Sequence, residues 1–174
     1  DISSPFLTVA GQTAPGEGVQ VRGAQIKIQT HDVIIRYLKV RSGDQSNSSN
    51  PADRDAVTSN PGKNGNNAYN IIVDHSTLIW GPDIGGITFL NGARDATVSY
   101  SIIGEGLYAS NHPEGVVSQG GHSLGINITE LNSSTPPTRI SVHHNLITTS
   151  GDRNPRVIGG VNIDIVNNVI YNWE

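Results

Sequence analysis

The 174 residues contain no cysteine and no methionine. The first absence excludes disulfides and thiolate metal sites and leaves the redox compartment undetermined. The second, with an opening on Asp1 and no basic, apolar leader, reads as a processed or excised piece whose secretion signal has been removed or lies outside it. Charge is scarce too. Charged residues make up 15% of the chain, where roughly 25% is usual, so Asn, Ser, Thr and Gly must cover the surface. Lys and Arg number 11 against 15 Asp and Glu, a net charge of -4, which argues against a nucleic-acid binder that works by neutralising phosphates. No run approaches the roughly 18 apolar residues of a membrane span. Backbone punctuation is plentiful: 20 Gly and 9 Pro disfavour long helices. The length suits one domain, 1–174, with a sizeable core.

One pattern recurs five times. With Ile35, Val73, Val98, Val142 and Ile165 as anchors, an apolar residue stands two positions earlier each time: Val33, Ile71, Ala96, Ile140 and Ile163. Five positions later another aliphatic follows: Val40, Leu78, Ile103, Ile147 and Ile170. Period two marks a half-buried strand. The change to odd spacing means that the chain bends after the anchor, so that a second short strand faces the same interior. Three residues past the anchor, four copies are polar (Ser76, Ser101, Asn145 and Asn168), and stacked polar side chains at a bend can bond one another along the stack. Anchor separations of 38, 25, 44 and 23 residues suit coils of a parallel β-helix, some carrying loop insertions. A β-sandwich also has short strands, but it expects hairpins and no bend repeated in register. The expected fold is therefore all-β, a parallel β-helix. Gly18–Arg22, Gln25–Gln29 and Gly86–Phe89 alternate as further strands.

Loops fall at 42–50, 60–67, 108–121 and 131–138, and insertions on a repeat scaffold usually carry binding. Asn47, Asn127 and Asn132 begin N-glycan acceptor patterns, which chance also produces in a chain rich in Asn, Ser and Thr. Asp53 and Asp55, two apart on an extended segment, share a face and can begin an oxygen-ligand calcium site, with Asp83 the nearest further ligand in the next coil. From spacing alone, neutralisation by Arg54 and solvent is the better reading. Arg153 and Arg156 flank Pro155 in a stiffened turn, a preformed cationic feature for carboxylates or a pair bonding loop carbonyls. Strand alternation sends His143 and His144 to opposite faces, and Asp74 and His75 likewise.

Several of these stretches, in order, resemble the pectate lyase family of right-handed parallel β-helices: Leu7–Gly16, Asp32–Leu38, Ile71–Ser76 with Trp80, Val142–Leu146, Asp152–Val157 and Val166–Val169. The resemblance covers nearly the whole chain and implies the central coils of a longer solenoid, with both ends uncapped. It implies cleavage of polygalacturonate by β-elimination, with Arg153 as the base, Asp53 and Asp55 as calcium ligands, and Arg156 and His112 as substrate-binding residues. Because arginine ordinarily stays protonated, that role for Arg153 demands a strongly electropositive cleft.

The chain departs from the family pattern twice. Glu114 stands in His112-Pro113-Glu114-Gly115 where a lysine clamp is common, and Ile84 follows Asp83 where a glutamate ligand is frequent. The resulting expectation is a secreted, calcium-assisted lyase acting on an acidic polysaccharide, possessing a site altered at Glu114 and Ile84. The alternative is a non-catalytic extracellular β-helix that binds carbohydrate or associates head to tail into a fibre. A hydrolase working through a carboxylate pair is a third option that no acid pair here requires.

Overall fold

Residues two apart in an extended chain turn to the same side, and the aliphatic runs all form strands in the computed structural model, which describes residues 1–44, 54–60, 68–115, 121–131 and 135–173. Three sheets result. The first contains β1 (Leu7–Ala10), β4 (Val33–Arg36), β7 (Tyr69–Asp74), β10 (Arg94–Ser99), β13 (Thr138–His143) and β16 (Val161–Val166). The second contains β2 (Val19–Arg22), β5 (Leu38–Arg41), β8 (Thr77–Ile79), β11 (Ile102–Gly104), β14 (Leu146–Thr148) and β17 (Val169–Tyr171). The third contains β3 (Ile26–Ile28), β6 (Val57–Ser59), β9 (Ile84–Leu90), β12 (Leu124–Thr129) and β15 (Arg156–Ile158). Every neighbour in each sheet is parallel and is the strand three elements away, so each coil contributes one strand per sheet. The chain is a parallel β-helix.

The anchors stack in register, Ile35 on Val73, Val73 on Val98, Val98 on Val142 and Val142 on Ile165. The second aliphatics stack as well, Val40 on Leu78, Leu78 on Ile103, Ile103 on Ile147 and Ile147 on Ile170. Together with Ile28, Val57, Ile87, Phe89, Ile126 and Ile128 of the third sheet, most of them form one buried cluster. Each such side chain contributes about 1.5–3 kcal/mol by leaving water. A sixth copy, Val9, pairs with Ile35. Its second strand comes late because the 3-10 turn Gly11–Thr13 and the following loop lie between Ala10 and Val19, so the five-residue spacing does not reveal it.

The bend after each anchor is a single left-handed residue. Tyr37, His75, Tyr100, His144 and Asn167 have φ of 56, 48, 47, 56 and 54°, a conformation costing roughly 1–2 kcal/mol per non-glycine residue. Successive rings offset part of that cost by stacking, with centroids 4.8 Å apart for Tyr37 and His75, 5.1 Å for His75 and Tyr100, and 5.0 Å for Tyr100 and His144. The same bend corrects the expectation that adjacent side chains part. Alternation ends at a left-handed residue, so His143 Nδ1 lies 2.9 Å from His144 Nδ1, and His75 Nδ1 lies 2.8 Å from an Asp74 carboxylate oxygen.

Beside the bend runs a polar ladder. Leu38 N donates to Ser76 Oγ, Ser76 N to Ser101 Oγ, Ser101 N to Asn145 Oδ1 and Asn145 N to Asn168 Oδ1, at 3.0–3.2 Å. Asn145 Nδ2 also donates to Val98 O at 3.0 Å. Truncating Asn145 to alanine leaves the amide of Ser101 and the carbonyl of Val98 without these partners. We expect the variant to lose about 2–4 kcal/mol in urea unfolding, whereas a loss under 1 kcal/mol, measured as a shift in midpoint at unchanged slope, contradicts the ladder's role. Among the described residues, no helix is long and apolar enough to cross a membrane.

Candidate functional site

On the third sheet the buried residues alternate with an outward row. Lys27 of β3 is in register with Thr58 of β6, then Thr88 of β9, Asn127 of β12 and Arg156 of β15. The row is cationic at both ends and uncharged between, and loops rise beside it to form a trough of about 220 Å³. Lys27, Thr58, Thr88 and Asn127 lie in that trough, and Asp55, Asp83 and Arg153 line it from the loops. Arg156 is exposed at the end of the row.

Asp55 precedes β6 and is buried. Ile84 N donates to its Oδ1 at 3.1 Å, and Thr58 Oγ1 lies 2.7 Å from its Oδ2. Burial, and secondly the Asp83 carboxylate opposite, push the Asp55 carboxyl up to about 7, against the opposing pull of the Thr58 and Ile84 bonds. The hydroxyl of Thr58 also lies 2.9 Å from Gln25 Oε1. With one hydrogen it cannot donate to both acceptors, so a proton on Asp55 Oδ2 given to Thr58 completes the chain. The buried Asp55 and the half-buried Asp83 thus place two acidic groups on one trough, an arrangement that a hard divalent cation relieves. In this respect Asp55 and Asp83 fit calcium. Ile84 adds no side-chain oxygen, and the buried Arg54 donates from Nη1 to Gly23 O at 2.9 Å.

Arg153 sits on the turn between β14 and β15, with φ of 59° and a cis peptide following at Asn154-Pro155. Gly125 N donates to Asp152 O at 3.0 Å and Ile126 N to Arg153 O at 2.6 Å, which pins the turn against β12. Only glycine permits that approach. A Cβ on Gly125 would lie 2.8 Å from Arg153 O and 2.5 Å from Asn154 Oδ1. The guanidinium makes no ion pair among the described residues, and its buried Nε has no hydrogen-bond partner.

Behind Asp83 lies a histidine cluster. His122 is buried, with Nε2 3.0 Å from Asp83 Oδ1 and Nδ1 3.2 Å from Glu114 Oε2. His112 stacks on it at 4.0 Å, and Glu114 N donates to His112 Nδ1 at 3.1 Å. Ligand atoms of Asp83, His112 and His122 come within 4.8 Å of one another, so the three could hold a metal that favours imidazole. The face-to-face stack and the bond already made to His112 Nδ1 mark them instead as packing that orients Asp83.

Asp55, Asp83 and Arg153 are therefore brought together, His112 lies beyond Asp83, and Arg156 stands outside the trough. Asp53, Asn47 and Asn132 lie outside the described residues. Asn127 corrects an expectation. It is 6% exposed on the trough floor, with Thr129 Oγ1 donating to its Oδ1 at 2.8 Å, and so does not suit a bulky glycan. Sequence reasoning missed Lys27 and His122. Alternation in Gln25–Gln29 already turned Lys27 outward, but which loop it would meet depended on coil register.

The chain is 34% identical to "Probable pectate lyase C" of Aspergillus flavus over 99% of its length. The proteins of the same description from Aspergillus terreus and Emericella nidulans are 33% and 34% identical over the same share. The alignment spans only about a third of each, 34% of their length. No family model matches the chain, and no solved structure matches it significantly.

Proposed function

We propose that this chain is the trough-bearing part of a secreted pectate lyase, cleaving an acidic polygalacturonate chain by β-elimination. The observation that carries the reading is the meeting of Asp55, Asp83 and Arg153 around one trough on the third sheet. The identity to proteins described as pectate lyases supports it over the non-catalytic alternative. Asp55 and Asp83, with Asp53, hold calcium, which when bound supplies Lewis-acid neutralisation of the carboxylate beside C5. In its neutral form Arg153 takes the proton from C5 as the C4–oxygen bond breaks, a C4–C5 double bond forms and the departing oxygen, holding the bond's electron pair, takes a proton from water. Among the described residues Arg153 makes no ion pair, and the ammonium of Lys27 in the same trough adds to the positive charge such a base needs. Arg156 and His112 bind substrate at the margins, and Asn47 and Asn132 are the glycan acceptors.

The test is formation of an ultraviolet-absorbing unsaturated product from polygalacturonate with calcium at neutral and alkaline pH. Absence of product under all these conditions overturns the reading. Glu114 is exposed, and its charge opposes a polyanion. Exchange for lysine, Glu114→Lys, should lower KM by up to about 30-fold, because it removes one exposed charge and adds its opposite, each worth no more than about 1 kcal/mol. An unchanged or raised KM on polygalacturonate refutes that role for the position.

A further inference from the structure

On the flank of the coil, around the second sheet, lies a cleft of about 480 Å³, large enough for a sugar ring. Its walls include Arg22 at the end of β2, Arg41 at the end of β5, Asp44 and Trp80 just past β8. Arg22 and Arg41 are directly in register on adjacent strands, and like charges placed so repel. Neither guanidinium pairs with a carboxylate among the described residues, Asp44 included. Arg41 donates through Nη1 to Gln20 Oε1 at 3.1 Å, while its buried Nε has no partner. The Arg41 guanidinium lies 5.1 Å from the centre of the Trp80 ring, an attraction that covers part of the ring with charge. Glu105 Oε2 accepts from Trp80 Nε1 at 3.0 Å and fixes the indole, which stays 40% exposed.

We propose that this cleft is a second carbohydrate site, taking a sugar that bears a carboxylate, a uronate, apart from the trough. An anion between Arg22 and Arg41 removes their repulsion and offers the planar guanidinium of Arg41 a two-point partner. The exposed part of the Trp80 ring supplies the apolar surface against which the carbon face of a sugar ring packs. Along the chain, Gly81 and Pro82 stand between Trp80 of the cleft and Asp83 of the trough. The choice of a uronate rests on the reading of the trough as a site for polygalacturonate.

The chain has 2 tryptophans, so Trp173→Phe leaves Trp80 as the only indole reporter. In this background, with chelator present, trigalacturonate should change the emission saturably. Arg22→Gln and Arg41→Gln should each weaken half-saturation at least 10-fold, the fully methyl-esterified trisaccharide should give no response, and Asp55→Ala should leave the response intact. No saturable change, an equal response to the ester, or full affinity in the Arg22→Gln variant overturns the proposal. Arg22 is exposed, so its substitution tests the site even if Arg41→Gln fails to fold. Lyase activity without a fluorescence response removes the second site alone, and a response without lyase activity removes the trough reading alone.

Discussion

Arg153→Lys should lower kcat on polygalacturonate by about 10²–10⁴-fold, the range expected when a positioned proton-transfer group is lost. Lysine keeps the positive charge and the backbone contacts that fix the turn, the bond from Ile126 N to Arg153 O and that from Arg153 N to Asp152 Oδ1 at 2.6 Å. The comparison therefore isolates the guanidinium. Because charge is conserved, attraction of the polyanion persists and KM should change little, so the loss falls on kcat. Initial rates of unsaturated product, together with an unshifted thermal midpoint, measure the effect. A variant retaining more than about a tenth of the parent's kcat removes Arg153 from the chemistry and leaves it a role in substrate attraction.

The fold was legible because a parallel β-helix repeats its inward positions. Val33, Ile35 and Val40 recur as Ile71, Val73 and Leu78 in the next coil, and the structure stacks them residue on residue. The polar ladder was legible for the same reason, Ser76, Ser101, Asn145 and Asn168 holding one place in each coil. Positions that depend on a single backbone angle were not. Nothing in the composition of His75 or His144 announces a positive φ, yet that angle decides whether each ring points away from its neighbour or touches it. At the site, the motifs point to Asp55 and Arg153, whereas Lys27 joins them only because β3 packs beside β6. The partnership of Glu114 with His122 is likewise tertiary, joining two residues of a loop and its return.

Asp55→Asn should stabilise the chain near pH 8 in the presence of chelator. The Asp55 carboxyl is held at about 7 in the folded chain against an ordinary value of 3.8. Below about pH 4 it is neutral in both states and costs nothing. Between about pH 4 and 7 the unfolded chain releases its proton while the folded chain retains it, so stability falls as pH rises. Above about 7 the loss levels off, at no more than about 4 kcal/mol. Asparagine carries no proton to lose. Its oxygen can accept from Ile84 N as Oδ1 does now, and its NH₂ can donate to Thr58, whose hydroxyl then serves Gln25. Urea midpoints from pH 4 to 8 should therefore slope downward for the parent and stay flat for the variant, with the two within about 1 kcal/mol at pH 4. Millimolar calcium should raise the parent's midpoint near pH 8 and leave the variant's nearly unchanged, because a cation between Asp55 and Asp83 removes the same repulsion that protonation does. A variant that follows the parent's pH slope shows that Asp55 is not the buried acid responsible. A parent insensitive to calcium at that pH denies the carboxylate pair its cation.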